Sequence, residues 1–223
     1  MRLHAVGGLC NRLRAILSSQ AVHGSLTVVW EPDEYVSHAR FGDVFDFDCL
    51  AGVTFVDAGP WDVESYSVAE GAPADWGRAY VALRPVATAR RRIESLLSQR
   101  TLAVHVRRTD HLPNHSAHGG NVEPLEAWGR WSQEWPSLPV YVATDNGETQ
   151  DAARRMWTDA RFVAATRLHG AQLQAHDDHR RNGSLLDAVV DLYVCAGAER
   201  FRGSHGSSFT DTIATLRRLG GRS

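Results

Sequence analysis

The run Leu102-Ala-Val-His-Val106 leads without a break into Arg107-Arg-Thr-Asp110, and few architectures accommodate such a segment. Five nearly continuous apolar residues predict a strand buried on both faces, as in a parallel sheet covered by helices on either side. Its carboxyl end then carries two arginines and a histidine. Burying that much charge and polarity is costly unless a ligand or partner satisfies it, and ligands of open α/β sheets bind at the carboxyl ends of their strands. Side chains alternate along a strand, so His105 and Arg107 share one face and Arg108 opposes them. A structural Arg–Asp pair with Asp110 is the plainer alternative.

The rest of the chain alternates strand and helix on the same scale. Strands are predicted over 1–6, 26–30, 53–56, 102–106, 138–143, 161–165 and 199–202. Helices are predicted from about Asn11 and over 87–99, 123–135, 148–157, 184–195 and 207–219. The region 41–76 reads as irregular, and Arg90-Arg91-Arg92 as the basic outer face of a helix. This alternation predicts a doubly wound α/β protein. A composition shift near 90–100 divides it into Rossmann-like halves, 1–95 and 96–223. With 223 residues, 43% of them hydrophobic, the chain can bury one sizeable core or two small ones.

Composition then excludes several chemistries. The net charge of −2 argues against a protein that coats nucleic acid. Every one of the 24 basic residues is arginine. Without lysine there is neither a Walker-type phosphate loop nor Schiff-base chemistry, whereas the guanidinium fork suits bidentate capture of phosphate. The cysteines Cys10, Cys49 and Cys195 are too widely spaced for a zinc site or a disulfide framework and read as reduced core residues. No apolar stretch is long enough to span a bilayer, and no leader pattern opens the chain, so a cytoplasmic location is expected.

Besides 105–110, three segments bear on chemistry. Gly7-Gly8-Leu-Cys-Asn11-Arg12 lies between a strand and a helix, where glycines let a ligand approach and the helix start favours an anion. Val140-Tyr-Val-Ala-Thr-Asp145 ends a strand in a polar tip, readable as a ligand contact or a helix cap. Gly203-Ser-His-Gly-Ser207-Ser208-Phe209-Thr210 offers amides and hydroxyls as a nest for a diphosphate, or an ordinary serine cap. His111, His115 and His118 share one loop. Pro113 and Gly119-Gly120 disfavour a helix that would align them, so an acceptor-facing loop is preferred to a metal site. His4 and the remaining isolated histidines read as surface or structural.

Taken in order, these motifs resemble the GDP-fucose fucosyltransferase superfamily, which includes the core α-1,6-, the nodulation and the protein O-fucosyltransferases. His105-Val-Arg-Arg-Thr-Asp110 is the strongest piece, followed by Tyr141-Val-Ala-Thr-Asp145 and the stretch from Asp191 through Ser207-Ser208-Phe209. The resemblance is weakest between 41 and 100. It implies a GT-B fold, two Rossmann-like domains across a cleft, and inverting transfer without a metal or other cofactor. By motif position, His105 and Asp191 meet the guanosine of the donor. Arg107 and Arg108 hold the diphosphate with Ser207, Ser208 and the Phe209 amide, while Gly8 and Asp145 complete the donor-binding set. Asn11 lies near the scissile bond. Where some members place a glutamate as catalytic base, this chain offers His115, a plausible base at neutral pH.

The acceptor implied is a hydroxyl, on a glycan or a protein. Two other readings stand beside the first: the same transfer from another donor, such as a nucleotide-linked rhamnose, and a non-catalytic nucleotide- or glycan-binding module. The intact Arg-Arg pair and Ser-Ser-Phe turn weigh against the module.

Overall fold

The computed structural model describes residues 1–32, 39–107, 123–163 and 184–220. Strand β1 (Arg2–Ala5) runs into helix α1 (Leu9–His23), then β2 (Leu26–Val29), β3 (Val53–Val56) and β4 (Val63–Ser65). Helix α2 (Ala87–Leu96) leads to β5 (Leu102–Val106), α3 (Leu125–Ser132), β6 (Val140–Thr144), α4 (Gly147–Met156), α5 (Leu185–Gly197), β7 (Arg200–Gly203) and α6 (Ser208–Leu219). Two parallel sheets result, ordered β3-β2-β1-β4 and β6-β5-β7. The architecture is mixed α/β with parallel sheets, as the strand–helix alternation implies.

All five residues of β5 are buried. Leu102, Val104 and Val106 join Val140 and Val142 in a core closed by Leu125 and Trp128 of α3 and Ala153 of α4. Ala103, on the other face, joins a second core that runs through α5 and α6 to α1 and the first sheet. In that core, Leu3 and Ala5 of β1 pack with Leu13, Ile16 and Leu17. The segment 41–56 is better organised than its sequence indicates, because Phe41 stacks on Phe55 at 3.8 Å and contacts Phe45 and Trp30 edge-on or tilted.

Several expectations need correction. Of the predicted 161–165 strand, residues 161–163 are described and show one bridge, Tyr141 with Arg161, while 164 and 165 lie outside the described residues. Strand β4 and a 3-10 turn at Trp76–Ala82 were not anticipated, being too short for a periodic signal. The arginines of α2 do not form one outer face, since consecutive helical residues point in different directions. Arg90 turns to Asp46 and the Pro85 carbonyl, and Arg92 to Asp187 and the Val163 carbonyl. All three cysteines are free and buried, as expected.

Candidate functional site

The carboxyl end of β5 meets the start of α6, and the residues there interlock. His105 is buried; its Nδ1 lies 2.9 Å from the Thr210 hydroxyl, and its ring packs at a tilt against Phe209 with centroids 4.7 Å apart. The Arg107 amide donates to the Ser204 hydroxyl at 3.0 Å, and that hydroxyl in turn donates to the His105 carbonyl. The Ser204 amide donates to the same carbonyl at 2.9 Å. Thus the 203–210 segment is laced to the strand end that carries Arg107. Arg108 and His115 lie outside the described residues.

Ser207 stands at the N-cap of α6, yet its side chain makes no capping bond. Only 1% exposed, its hydroxyl has no hydrogen-bond partner among the described residues. A buried polar atom without a partner costs about 1–3 kcal/mol, and the first amides of a helix have no intrahelical acceptor, which makes this helix start a candidate for a polar ligand. An ordinary serine cap would have used that hydroxyl. Ser208 and Phe209 follow as the first residues of the helix.

The glycine loop lies at the start of α1. Gly7 has φ of 80°, a left-handed conformation that favours glycine, and Gly8 is the N-cap of α1 without a side chain to fill the approach. Asn11 lies in the first turn and accepts a bond from Arg14 at 2.5 Å. Arg12, buried, donates to the Gly7 and Glu31 carbonyls and so ties the ends of β1 and β2 together. Helices α1 and α6 share the core with Tyr80, whose hydroxyl is 3.4 Å from Thr212. Burial pushes that phenol up, and its surroundings include both Arg14 and Asp211. The two helix starts therefore come from opposite ends of the chain into one neighbourhood. Sequence reasoning missed Arg14; its spacing three residues after Asn11 was the available signal.

Asp191, on α5, accepts a 2.5 Å bond from the Tyr141 hydroxyl of β6. Burial, the largest influence, pushes its carboxyl up to about 8 against the lowering effect of Tyr141 and Arg92. Asp145 belongs to the same electrostatic environment. The cap of α4 is made by Asn146, whose Oδ1 accepts from the Thr149 amide at 2.8 Å, and not by Asp145.

Parallel strands alternating with helices, and a helix start that meets a strand's carboxyl end, place the chain among the open α/β folds. Structure comparison narrows the choice. The fucosyltransferase NodZ from Bradyrhizobium aligns with a TM-score of 0.61 at 16% identity, covering 96% of this chain and 93% of its own. POFUT1 in complex with GDP-fucose aligns with a TM-score of 0.62 at 12% identity, covering 100% of this chain and 94% of its own. The NodZ alpha-1,6-fucosyltransferase soaked with GDP-fucose aligns comparably, at 0.61 and 15%. The fold is that of these fucosyltransferases. In sequence, neither a protein-family model nor a curated protein matches the chain. No helix among the described residues is long and apolar enough to cross a membrane.

Proposed function

We propose that the protein is an inverting, metal-independent glycosyltransferase that moves fucose from GDP-fucose to a hydroxyl acceptor, a glycan by preference. The observation that carries this reading is the Ser207 hydroxyl, buried and unpartnered at the start of α6, beside the strand end that presents Arg107. The domain division that goes with it is 1–95 on the acceptor side and 96–223 on the donor side, in a GT-B arrangement.

In this reading the guanine meets Asp191 and His105, and Phe209 supports the His105 ring. The diphosphate lies against the α6 amides, Ser207, Ser208, Arg107 and Arg108. When the acceptor oxygen bonds to the anomeric carbon, the bond from that carbon to the phosphate oxygen breaks, and GDP departs with the electron pair. The acceptor proton passes to a base, the role offered to His115. Charge developing on GDP is met by arginines and by amides that are already oriented, each such group being worth roughly 10²–10³ in rate. That stabilisation needs no metal. Asn11, held by Arg14, lies toward the bond that breaks.

Incubation with GDP-fucose and a hydroxyl acceptor panel, with and without EDTA, tests the reading. Fucosylated product of inverted anomeric configuration, equal in yield with EDTA, is expected. Transfer from a nucleotide-linked rhamnose but not from GDP-fucose would overturn the donor assignment, and EDTA-abolished turnover would overturn metal independence.

A further inference from the structure

His4 lies on the face of the first sheet turned away from α1, next to Glu64 of β4, with which it is in register. Its Nδ1 is 3.0 Å from the Glu64 carboxylate, and its Nε2 is 3.7 Å from that of Glu31. Trp61 lies over the imidazole with ring centres 4.4 Å apart, yet remains 47% exposed. The histidine is thus shielded by the indole, while both carboxylates, each 54% exposed, are open to solvent. Tyr66, 60% exposed, sits beside the glycine loop: its Cβ is 3.7 Å from where a Cβ on Gly7 would stand. Glu31 is tied to that loop through Arg12, which bonds the carbonyls of both Gly7 and Glu31.

A half-exposed indole beside two solvent-facing carboxylates, with an exposed phenol at the adjoining glycine loop, presents apolar ring faces and anionic acceptors side by side. Their chemistry matches a pyranose. Its C–H face lies against an aromatic ring, and its hydroxyls donate charge-assisted bonds to carboxylates. A sugar bearing its own carboxylate is repelled by the same pair. We infer that Trp61, Tyr66, Glu31 and Glu64, with His4 holding the carboxylates in place, form a binding subsite for an uncharged oligosaccharide acceptor. Continuity with the Gly7-Gly8 loop sets that sugar's reactive end toward Asn11. The acceptor role rests on the transferase reading above; the sugar-binding surface stands on its own geometry.

Saturation-transfer NMR on the full chain, with cellotetraose, sialyllactose and a serine/threonine-rich peptide as probes, tests the inference alongside a thermal-shift response to GDP. Cellotetraose should bind and sialyllactose should bind more weakly. Trp61→Ala and Tyr66→Ala should each weaken cellotetraose binding by roughly tenfold or more, as truncating an aromatic anchor does, with the GDP response unchanged. Glu64→Gln should narrow the preference for cellotetraose over sialyllactose. Cellotetraose binding that is absent, or untouched by both aromatic substitutions, overturns the subsite, as does peptide binding at Trp61 in place of the sugar. A GDP response without sugar binding sinks the subsite alone. Sugar binding that behaves as described without any GDP response leaves the subsite standing and removes the donor reading.

Discussion

His105 is held from two sides, by the Thr210 hydroxyl and the Phe209 ring, and the first of these contacts depends on the bareness of Gly203. A Cβ there would come within 2.6 Å of the Thr210 hydroxyl oxygen and 2.8 Å of the Phe201 ring. Gly203→Ala should therefore push Thr210 off His105 and destabilise the fold by about 1–3 kcal/mol, the cost of overpacking. Urea unfolding reads the loss, and a variant as stable as the parent would show that the segment yields freely. Asp191 supports a pH prediction. Its folded-state acid sits at about 8 against an ordinary value of 3.8, so the fold favours the protonated form. Stability from this group is fully present below about pH 4 and is lost as pH rises through about 8. Asp191→Asn, which keeps an acceptor for Tyr141, should show a melting temperature that falls less between pH 5 and 8 than the parent's. Parallel profiles would contradict the assignment. The histidine, the arginine and the serine turn were legible because each chemistry is written in adjacent residues. The Tyr141–Asp191 bond was not, since its partners are fifty positions apart and only the β6–α5 packing joins them.

At the scale of elements, Arg217 of α6 does for α5 what no residue of α5 can do for itself. Its guanidinium donates to the carbonyls of Cys195 and Ala196, which the helix end leaves without internal partners, and to those of Ala198 and Glu199 just past the last turn. A cation there also complements the helix dipole. Arg217→Met keeps the stem and removes the donors, and should cost about 1–3 kcal/mol, read as a lower urea midpoint with unchanged slope. A neutral result would mean that water replaces the guanidinium at no cost. Strands β3 and β5 match their predicted limits, Val53–Val56 and Leu102–Val106, because compact β-branched runs bounded by polar residues leave little choice of register. The predicted helix over 123–135 shortens to Leu125–Ser132, since Pro124 stands at its N-cap and the chain turns after Ser132. Strand β4, only three residues and two of them exposed, owes its existence to pairing with β1.

For the whole molecule, the second core is what brings the separate motifs together. It runs from β1 through α1 to α6 and α5, and so brings a helix start near residue 9 into the neighbourhood of one near residue 208. Alternation in the sequence announces two parallel sheets but says nothing of which helix starts will meet, because that depends on packing between segments two hundred residues apart. In the proposed function this junction holds a guanosine diphosphate. Thermal unfolding with GDP, UDP and dTDP, with and without EDTA, tests it most directly. Ligand at a hundred times its dissociation constant adds about 2.7 kcal/mol to stability, so GDP should raise the melting temperature clearly, EDTA should leave that rise intact, and Arg107→Ala should erase it. A rise with UDP or dTDP but not GDP, or no rise with any of the three, would contradict the account.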